Sequence, residues 1–271
     1  MIRRDEADRH LLITQHEHAQ LSCELAKHVG NARFDPLTDH AGALLGIGLH
    51  DCGWPLHDDA PTLNPQGLPL DVFESTPEIA LRVWTESVER AARQDAYAGL
   101  LVSLHVLHLS LLAGDTRRLD AHQRFALNKF HHAQFEWQDN LRRSVGLRVD
   151  RPLTHGLLER NADPDEDRLR FHFRWLQALD QISLAICCTE APFGTTNELH
   201  TTPGAEPIAL SLARTGDRTV RVDPWPFKTD RLDVYVPGRA VPRGPYSNAD
   251  ALRATYAQVP IQGLRMSLVP S

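Results

Sequence analysis

Residues 41–55 read AGALLGIGLHDCGWP, and the interpretation of the whole chain depends on this stretch. Its first nine residues are small or apolar, so we predict a buried helix that ends in His50-Asp51. A buried carboxylate without a partner is costly or takes up a proton. A divalent cation is one solution, because histidine nitrogen and aspartate oxygen are ordinary metal ligands. The alternative is a helix end at which Asp51 faces solvent and His50 meets a backbone carbonyl.

Length and composition are those of an ordinary globular protein. The chain has 271 residues, of which 42% are hydrophobic and 24% charged, and its net charge is -6. This length is sufficient for one large core. The acidic balance offers no basic surface for nucleic acid, and no apolar run approaches the roughly 20 residues that span a bilayer. We therefore expect neither nucleic acid nor a membrane as a partner.

The cysteines and the first residues of the chain bear on its location. The four cysteines do not suggest a disulfide framework in a chain of this length. The opening residues MIRRDEADRH contain no apolar signal core. Reduced thiols in the cytoplasm agree with both observations, so we predict a cytoplasmic protein.

Two further predicted helices each carry a polar residue on an apolar face. In the first of them, His18 shares one face with Leu21 and Leu25. In the helix over residues 165–188, Asp180 lies within an apolar run, where an aspartate has poor helix propensity and a high desolvation cost. A core histidine bonded to a carbonyl would explain His18 alone. Asp180 needs a cation, an arginine or a tight set of hydrogen bonds.

Another apolar helix, predicted over residues 96–113, is interrupted by His105 and His108. These histidines are three residues apart and are therefore neighbours on one face. One buried histidine could be bonded to a carbonyl, but two on one face favour a functional role, first for His105. The long loop over residues 52–73 could cover a pocket. Its polar candidates, for which solvent exposure is the alternative, are His57, Asp58 and Asp59.

After Cys188 the pattern changes to short alternating segments separated by turn signals such as Pro237-Gly238. We predict there a small antiparallel sheet, to which an extended N-terminal segment could contribute a strand. The predicted fold is therefore mainly α, with an all-helical bundle and a small β appendage. We place the helical domain in residues 1–190 and the β-rich subdomain in residues 191–271.

The unusual residues fall into short motifs in a fixed order. They are Gln-x-x-His-Ala at residues 15–19, His-Asp-Cys-Gly-Trp at 50–54, Ser-Leu-His at 103–105 and Leu-Asp-x-x-Ser-Leu at 179–184. This order resembles the HD-domain superfamily of metal-dependent phosphohydrolases, and most closely a divergent, uncharacterised branch of it. The resemblance implies an HD-like helical bundle over most of residues 1–190.

The resemblance also implies a site and a reaction. The implied metal ligands are His18, His50, Asp51 and Asp180. They would hold one divalent ion, and mixed histidine and carboxylate ligands are compatible with Mn, Fe, Co, Ni, Zn or Mg. Asp51 would also orient the attacking water, and His105 or His108 would bind a second metal, contact a phosphate oxygen or protonate the leaving group. The implied substrate is a nucleotide or another small phosphate ester.

Two other functions stay open. The chain could be a non-catalytic metal- or ligand-binding module, because the accessory residues that some HD proteins place beside the metal are not matched. It could also be an HD-fold di-iron oxygenase, which would require extra histidine ligands. Arg117, Arg118 and Arg124 are candidate phosphate contacts, although solvated surface arginine is the simpler explanation for each.

Overall fold

The computed structural model describes residues 1–112, 119–150, 163–190 and 192–271. The helices and strands are, in chain order, β1 (Ile2–Asp5), β2 (Arg9–Ile13), α1 (Gln15–His28), α2 (Ala41–Leu49), α3 (Pro55–Asp58), α4 (Pro77–Gln94), α5 (Ala96–Leu112), α6 (Ala121–Ser144), α7 (Pro164–Cys187), β3 (Leu199–His200), β4 (Pro207–Ile208), β5 (Ser211–Arg214), β6 (Thr219–Asp223), β7 (Leu232–Pro242), α8 (Ala249–Gln258) and β8 (Ile261–Val269). The helices predicted around His18, His105 and Asp180 are confirmed as α1, α5 and α7. Within the described ranges, no helix combines the length and apolar character needed to cross a bilayer.

The sheet is larger than the sequence predicted. Six strands form one curled, half-barrel sheet in the order β1-β2-β7-β8-β6-β5. Strands β6 and β8 are parallel, whereas the other neighbouring pairs are antiparallel. Helix accounts for 49% of the structure and strand for 19%. The prediction of a mainly α, all-helical protein with a small antiparallel appendage is therefore wrong, and the fold is mixed α+β.

The misinterpreted element is β7. Pro237-Gly238 predicted a turn, but the strand continues through both residues, which pair with β8. Strand β2 pairs only with the later part of β7, so Pro237, which lacks an N–H, has a single neighbouring strand. A Cβ on Gly238 would lie 2.9 Å from Leu11 Cδ1 and 3.1 Å from the Leu12 carbonyl oxygen. The glycine therefore permits close packing between strands instead of a turn.

The sheet connects the two ends of the chain. The predicted domain boundary at residue 190 falls between α7 and β3. Strand β2, which forms a hairpin with β1, pairs across that boundary with β7. Arg4 of β1 also donates to carbonyl oxygens at the end of α7, including that of Ile186 at 3.2 Å. The N-terminal hairpin thus joins the sheet to α7, and the division into two domains stays a prediction.

Helix α7 runs through the core of the fold. One hydrophobic cluster joins its side chains to those of α1, α2 and α5 and to those of the sheet strands β2, β5, β6, β7 and β8. From Leu169 to Cys187 every residue of α7 is buried except Arg174, which is half-buried. A helix surrounded in this way carries its polar side chains into the protein interior.

Gly238→Val tests the close packing between β7 and β2. The added side chain would meet Leu11 and the Leu12 carbonyl, so we expect the free energy of unfolding to fall by about 1–3 kcal/mol. Gly194→Ala is the control, because nothing lies within 4 Å of a Cβ at Gly194. Urea denaturation measures both variants, and equal midpoints would contradict the packing argument.

Candidate metal centre

Four side chains from three parts of the chain meet in the interior. His18 lies on α1, His50 and Asp51 directly follow α2, and Asp180 lies on α7. His18 Nε2 is 3.1 Å from Asp180 Oδ1 and 3.6 Å from Asp51 Oδ2. His50 Nε2 is 3.2 Å from His18 Nε2 and 3.6 Å from Asp180 Oδ1. The structure therefore brings the four predicted ligands together, and we call this set the His-Asp cluster.

The His-Asp cluster is almost closed to solvent. The side chains of His18 and His50 are 1% and 0% exposed, and those of Asp51 and Asp180 are 9% and 12% exposed. In the part of the chain that the structure describes, the ion-pair partners of both carboxylates are histidines, with no lysine or arginine among them. Two carboxylates in such surroundings require positive charge close by.

The hydrogen bonds made by the two Nδ1 atoms determine which ring nitrogens of His18 and His50 face the centre of the His-Asp cluster. His50 Nδ1 is 2.7 Å from the Ile47 carbonyl oxygen, and because a carbonyl only accepts, Nδ1 carries the hydrogen. Ser183 Oγ donates to the Asp180 carbonyl oxygen at 2.7 Å and therefore accepts from His18 Nδ1 at 2.6 Å. In neutral rings, both Nε2 lone pairs then face the centre across 3.2 Å. That arrangement is repulsive unless a cation or a proton lies between them.

The geometry fits a divalent metal ion. With bonds of about 2.0–2.2 Å, ligand atoms in adjacent coordination positions lie about 3.0–3.4 Å apart. The separations among the donor atoms of His18, His50 and Asp180 are 3.1, 3.2 and 3.6 Å, close to that range. Two imidazoles and one or two carboxylates leave coordination positions open for other ligands. The distances, the ring orientations and the burial all agree with a metal site.

Protons compete with a metal for these donors. Burial lowers the pKa of His18, but hydrogen bonds with Asp180 and Asp51 outweigh burial and raise the pKa to about 9. The pKa of His50 is also raised, because the attraction of the same carboxylates exceeds the effect of burial. Burial raises the pKa values of the two carboxyl groups, but the imidazoles lower them further, so both lie below the usual range. Without another cation, the cluster therefore holds a proton at neutral pH.

His105 lines the cluster from α5. Its Nε2 lies 3.8 Å from Asp180 Oδ2, and its ring contacts that of His50 edge-on, with centroids 5.1 Å apart. Burial lowers the pKa of His105 to about 4, so the ring is neutral at physiological pH. A neutral imidazole is better suited to donating a hydrogen bond to an oxygen atom of a bound ligand than to protonating a leaving group.

The turn that carries Asp51 is held against α4. The Gly53 amide donates to Ser87 Oγ at 2.9 Å, and a Cβ on Gly53 would overlap the Val83 carbonyl oxygen. Trp54 Nε1 donates to Asp51 Oδ1 at 3.1 Å, while Oδ2 faces the imidazoles. The Cys-Gly-Trp sequence therefore has a physical role, because the glycine allows the close approach to α4 and the tryptophan orients the carboxylate.

Ser183 and Ser22 support His18 from behind and were not predicted as site residues. Both side chains are buried, and Ser22 Oγ donates to Ser183 Oγ at 3.0 Å. The available signal was the spacing of Ser183, three residues after Asp180, which places both on one face of α7. Partners of this kind orient a ligating histidine and increase its basicity.

The other predicted candidates do not join the cluster. Asp58 is buried, and its Oδ2 accepts from the Gln15 amide at 2.7 Å, so it holds the first turn of α1. Arg117 and Arg118 lie outside the described residues. The candidates that are at least partly exposed are His57, Asp59 and Arg124.

A family model described as "Protein of unknown function (DUF3891)" matches residues 1–243. The chain belongs to this family. No curated protein and no solved structure matches it. The matched region contains the whole His-Asp cluster and ends just after β7, before α8 and β8. The match assigns no function to this DUF3891 member, and its resemblance to the HD-domain superfamily stays a prediction.

Gly53→Ala tests how the turn is held. The added methyl group would overlap the Val83 carbonyl oxygen and lie 2.6 Å from the Ser87 amide nitrogen. The turn must then move away from α4 and displace Asp51, so we expect the affinity for Mn²⁺ to fall by about 10- to 100-fold. Calorimetric titration measures this loss. Gly48→Ala is the control and should bind Mn²⁺ like the wild type, because the nearest atoms to its new methyl group are side-chain atoms at 3.2 Å or more. Wild-type affinity in a folded Gly53→Ala protein would contradict the proposed role of the turn.

The affinity for metal should rise with pH. The pKa of His18 is about 9, above its ordinary value of 6.5, so below pH 9 a metal must displace a proton. We expect the affinity for Mn²⁺ to increase by up to about tenfold per pH unit in this range. Calorimetric titration with Mn²⁺ between pH 6.5 and pH 8.5 measures this increase in affinity. An affinity that does not change with pH would contradict the prediction.

The stability of the metal-free protein, in contrast to the metal affinity, should fall as the pH rises. The raised pKa of His18 means that its proton stabilises the folded state fully below about pH 6.5, and this contribution is lost as the pH rises through about 9. Chelator-treated protein should therefore lose part of its stability between pH 7 and pH 9. In the matched variant His18→Gln, the part of the pH dependence that comes from this group should disappear from thermal melts.

Proposed function

We propose that the chain is a metal-dependent phosphohydrolase that acts on a nucleotide or another small phosphate ester. The proposal rests on the His-Asp cluster, in which each of two imidazole nitrogens lies 3.1 to 3.7 Å from both carboxylates in the interior. A divalent ion would satisfy the donors of His18, His50 and Asp180 together, with Asp51 beside the two imidazoles as a further proposed ligand. Mixed histidine and carboxylate ligands are compatible with Mn, Fe, Co, Ni, Zn or Mg, so we propose one of these ions.

A bound divalent ion would stabilise charge on a phosphoryl oxygen and lower the pKa of a water molecule. The residues around the site orient the ligand atoms. His18 and His50 present their Nε2 atoms because Ser183 and the Ile47 carbonyl hold the opposite ring nitrogens. Asp51 has one oxygen held by Trp54, and its other oxygen would orient the attacking water.

His105 is the proposed contact to the phosphate. Its neutral ring carries one hydrogen, which it can donate to a phosphoryl oxygen from the side of the cluster where it faces Asp180. The small exposure of Asp51 and Asp180 favours a small substrate over a polymer. The proposed partner is therefore a small phosphorylated molecule, and we propose no nucleic acid or membrane partner.

Elemental analysis followed by a phosphatase screen tests the function. We expect purified protein to carry one divalent ion per chain and to release phosphate from p-nitrophenyl phosphate or nucleoside monophosphates when Mn²⁺, Mg²⁺ or Ni²⁺ is supplied. Bound metal without turnover of any phosphate ester would favour a non-catalytic binding module. Two irons per chain would favour an iron oxygenase.

Asp180→Asn tests the ligand assignment with little change in side-chain volume. Loss of the carboxylate should lower metal affinity by more than about 100-fold and remove phosphatase activity with it. His122→Ala is the control, because His122 lies exposed on α6 and should affect neither property. Equal metal content in Asp180→Asn and wild-type protein would count against the site.

A further inference from the structure

The packing interface between α5 and α7 carries further polar groups next to the His-Asp cluster. The two helices run in opposite directions, because His105 faces Asp180 while His108, one turn later, faces Phe173 with ring centroids 6.3 Å apart. His108, which follows His105 on α5, and Arg174, which precedes Asp180 on α7, therefore lie on the same side of the His-Asp cluster along this interface.

Arg174 is a half-buried cation. Burial lowers the pKa of its guanidinium, and Nη1 donates to Gln177 Oε1 at 3.3 Å. Arg174 directly follows Phe173, whose ring faces His108, and burial together with the guanidinium charge lowers the pKa of that imidazole. Within the described ranges Arg174 forms no ion pair, and Glu198 acts on it only at longer range. A partly desolvated cation in this position favours an anion beside it.

Two further polar atoms at this interface have no hydrogen-bond partner among the described residues. Gln177 is 2% exposed, and its Nε2 has no hydrogen-bond partner among the residues that the structure describes. Because Arg174 can only donate, the Gln177 oxygen must face it, which leaves the amide NH₂ as the remaining group. His108 Nε2 is also buried and without a partner in the same part of the chain. Among the described residues, the guanidinium, the amide and the imidazole thus have no ion-paired counter-charge, and the carboxylate of Glu198 acts on Arg174 only at longer range.

We propose that Arg174, Gln177 and His108 form an anion subsite beside the His-Asp cluster, and that it binds a second phosphoryl group of the substrate. An arginine pairs with phosphate oxygens through two parallel hydrogen bonds, and an amide and an imidazole can each donate one more. Gln177 and Arg174 lie about 4.5 and 9 Å before Asp180 along the helix axis. A second phosphoryl group next to the first would lie in this region, so the preferred substrate is a diphosphate or triphosphate. This substrate assignment rests on the proposed phosphohydrolase function, whereas the anion subsite depends only on its own residues.

Titration of the full chain with pyrophosphate tests the subsite. The chain is first treated with a chelator, so that binding does not depend on the metal site. We expect saturable binding by wild-type protein, with a weaker response to orthophosphate. Arg174→Gln should weaken pyrophosphate binding by about 10- to 100-fold. Arg168→Gln is the matched control, because Arg168 is an exposed arginine on the same helix and should behave as wild type.

A second variant guards against a folding defect in Arg174→Gln. Gln177→Glu keeps the arginine but gives it a carboxylate partner, so this variant should also lose pyrophosphate affinity. Wild-type affinity in either variant, or no saturable binding by the wild-type chain, overturns the subsite. Asp180→Asn should lose metal and still bind pyrophosphate, so a failed metal site and a failed anion subsite give different results.

Discussion

The approach of His18 Nε2 to Asp180 Oδ1, at 3.1 Å, is the contact on which the site depends. It brings a charged group of α7 against an imidazole of α1 inside a core that is largely apolar. Burial makes such a contact costly unless its geometry and charge are both satisfied. Helix α7 meets both needs, because it supplies the carboxylate of Asp180 and, one turn later, the hydroxyl of Ser183 that holds the other side of the same ring.

The sheet contributes to the site indirectly by holding the end of α7. Arg4 of β1 and Arg214 of β5 both donate to carbonyl oxygens there, including that of Ala185 at 2.6 Å from Arg214 Nη2. The last carbonyls of a helix have no partners within the helix, and positive charge near them is favourable. Strands from opposite ends of the chain therefore hold the part of α7 that follows Asp180.

Much of the candidate site could be predicted from local sequence. His18, His50-Asp51 and Asp180 each lie in an apolar helical segment, and helix periodicity together with desolvation cost indicates that such groups must find partners. The supporting contacts could not be predicted in this way. The fit of Gly53 against α4 and the lack of an ion-pair partner for Arg174 among the described residues depend on which helices pack together.

By itself, the sequence determined the main helices and the polar residues that enter the core, because both follow from patterns within a few turns of chain. Only the tertiary structure decided the size of the sheet, because strand pairing joins residues far apart and Pro237-Gly238 has the local pattern of a turn. It also decided the direction in which each imidazole presents its lone pair. That direction is determined by the Ile47 carbonyl and the Ser183 hydroxyl, and the second of these comes from a distant helix.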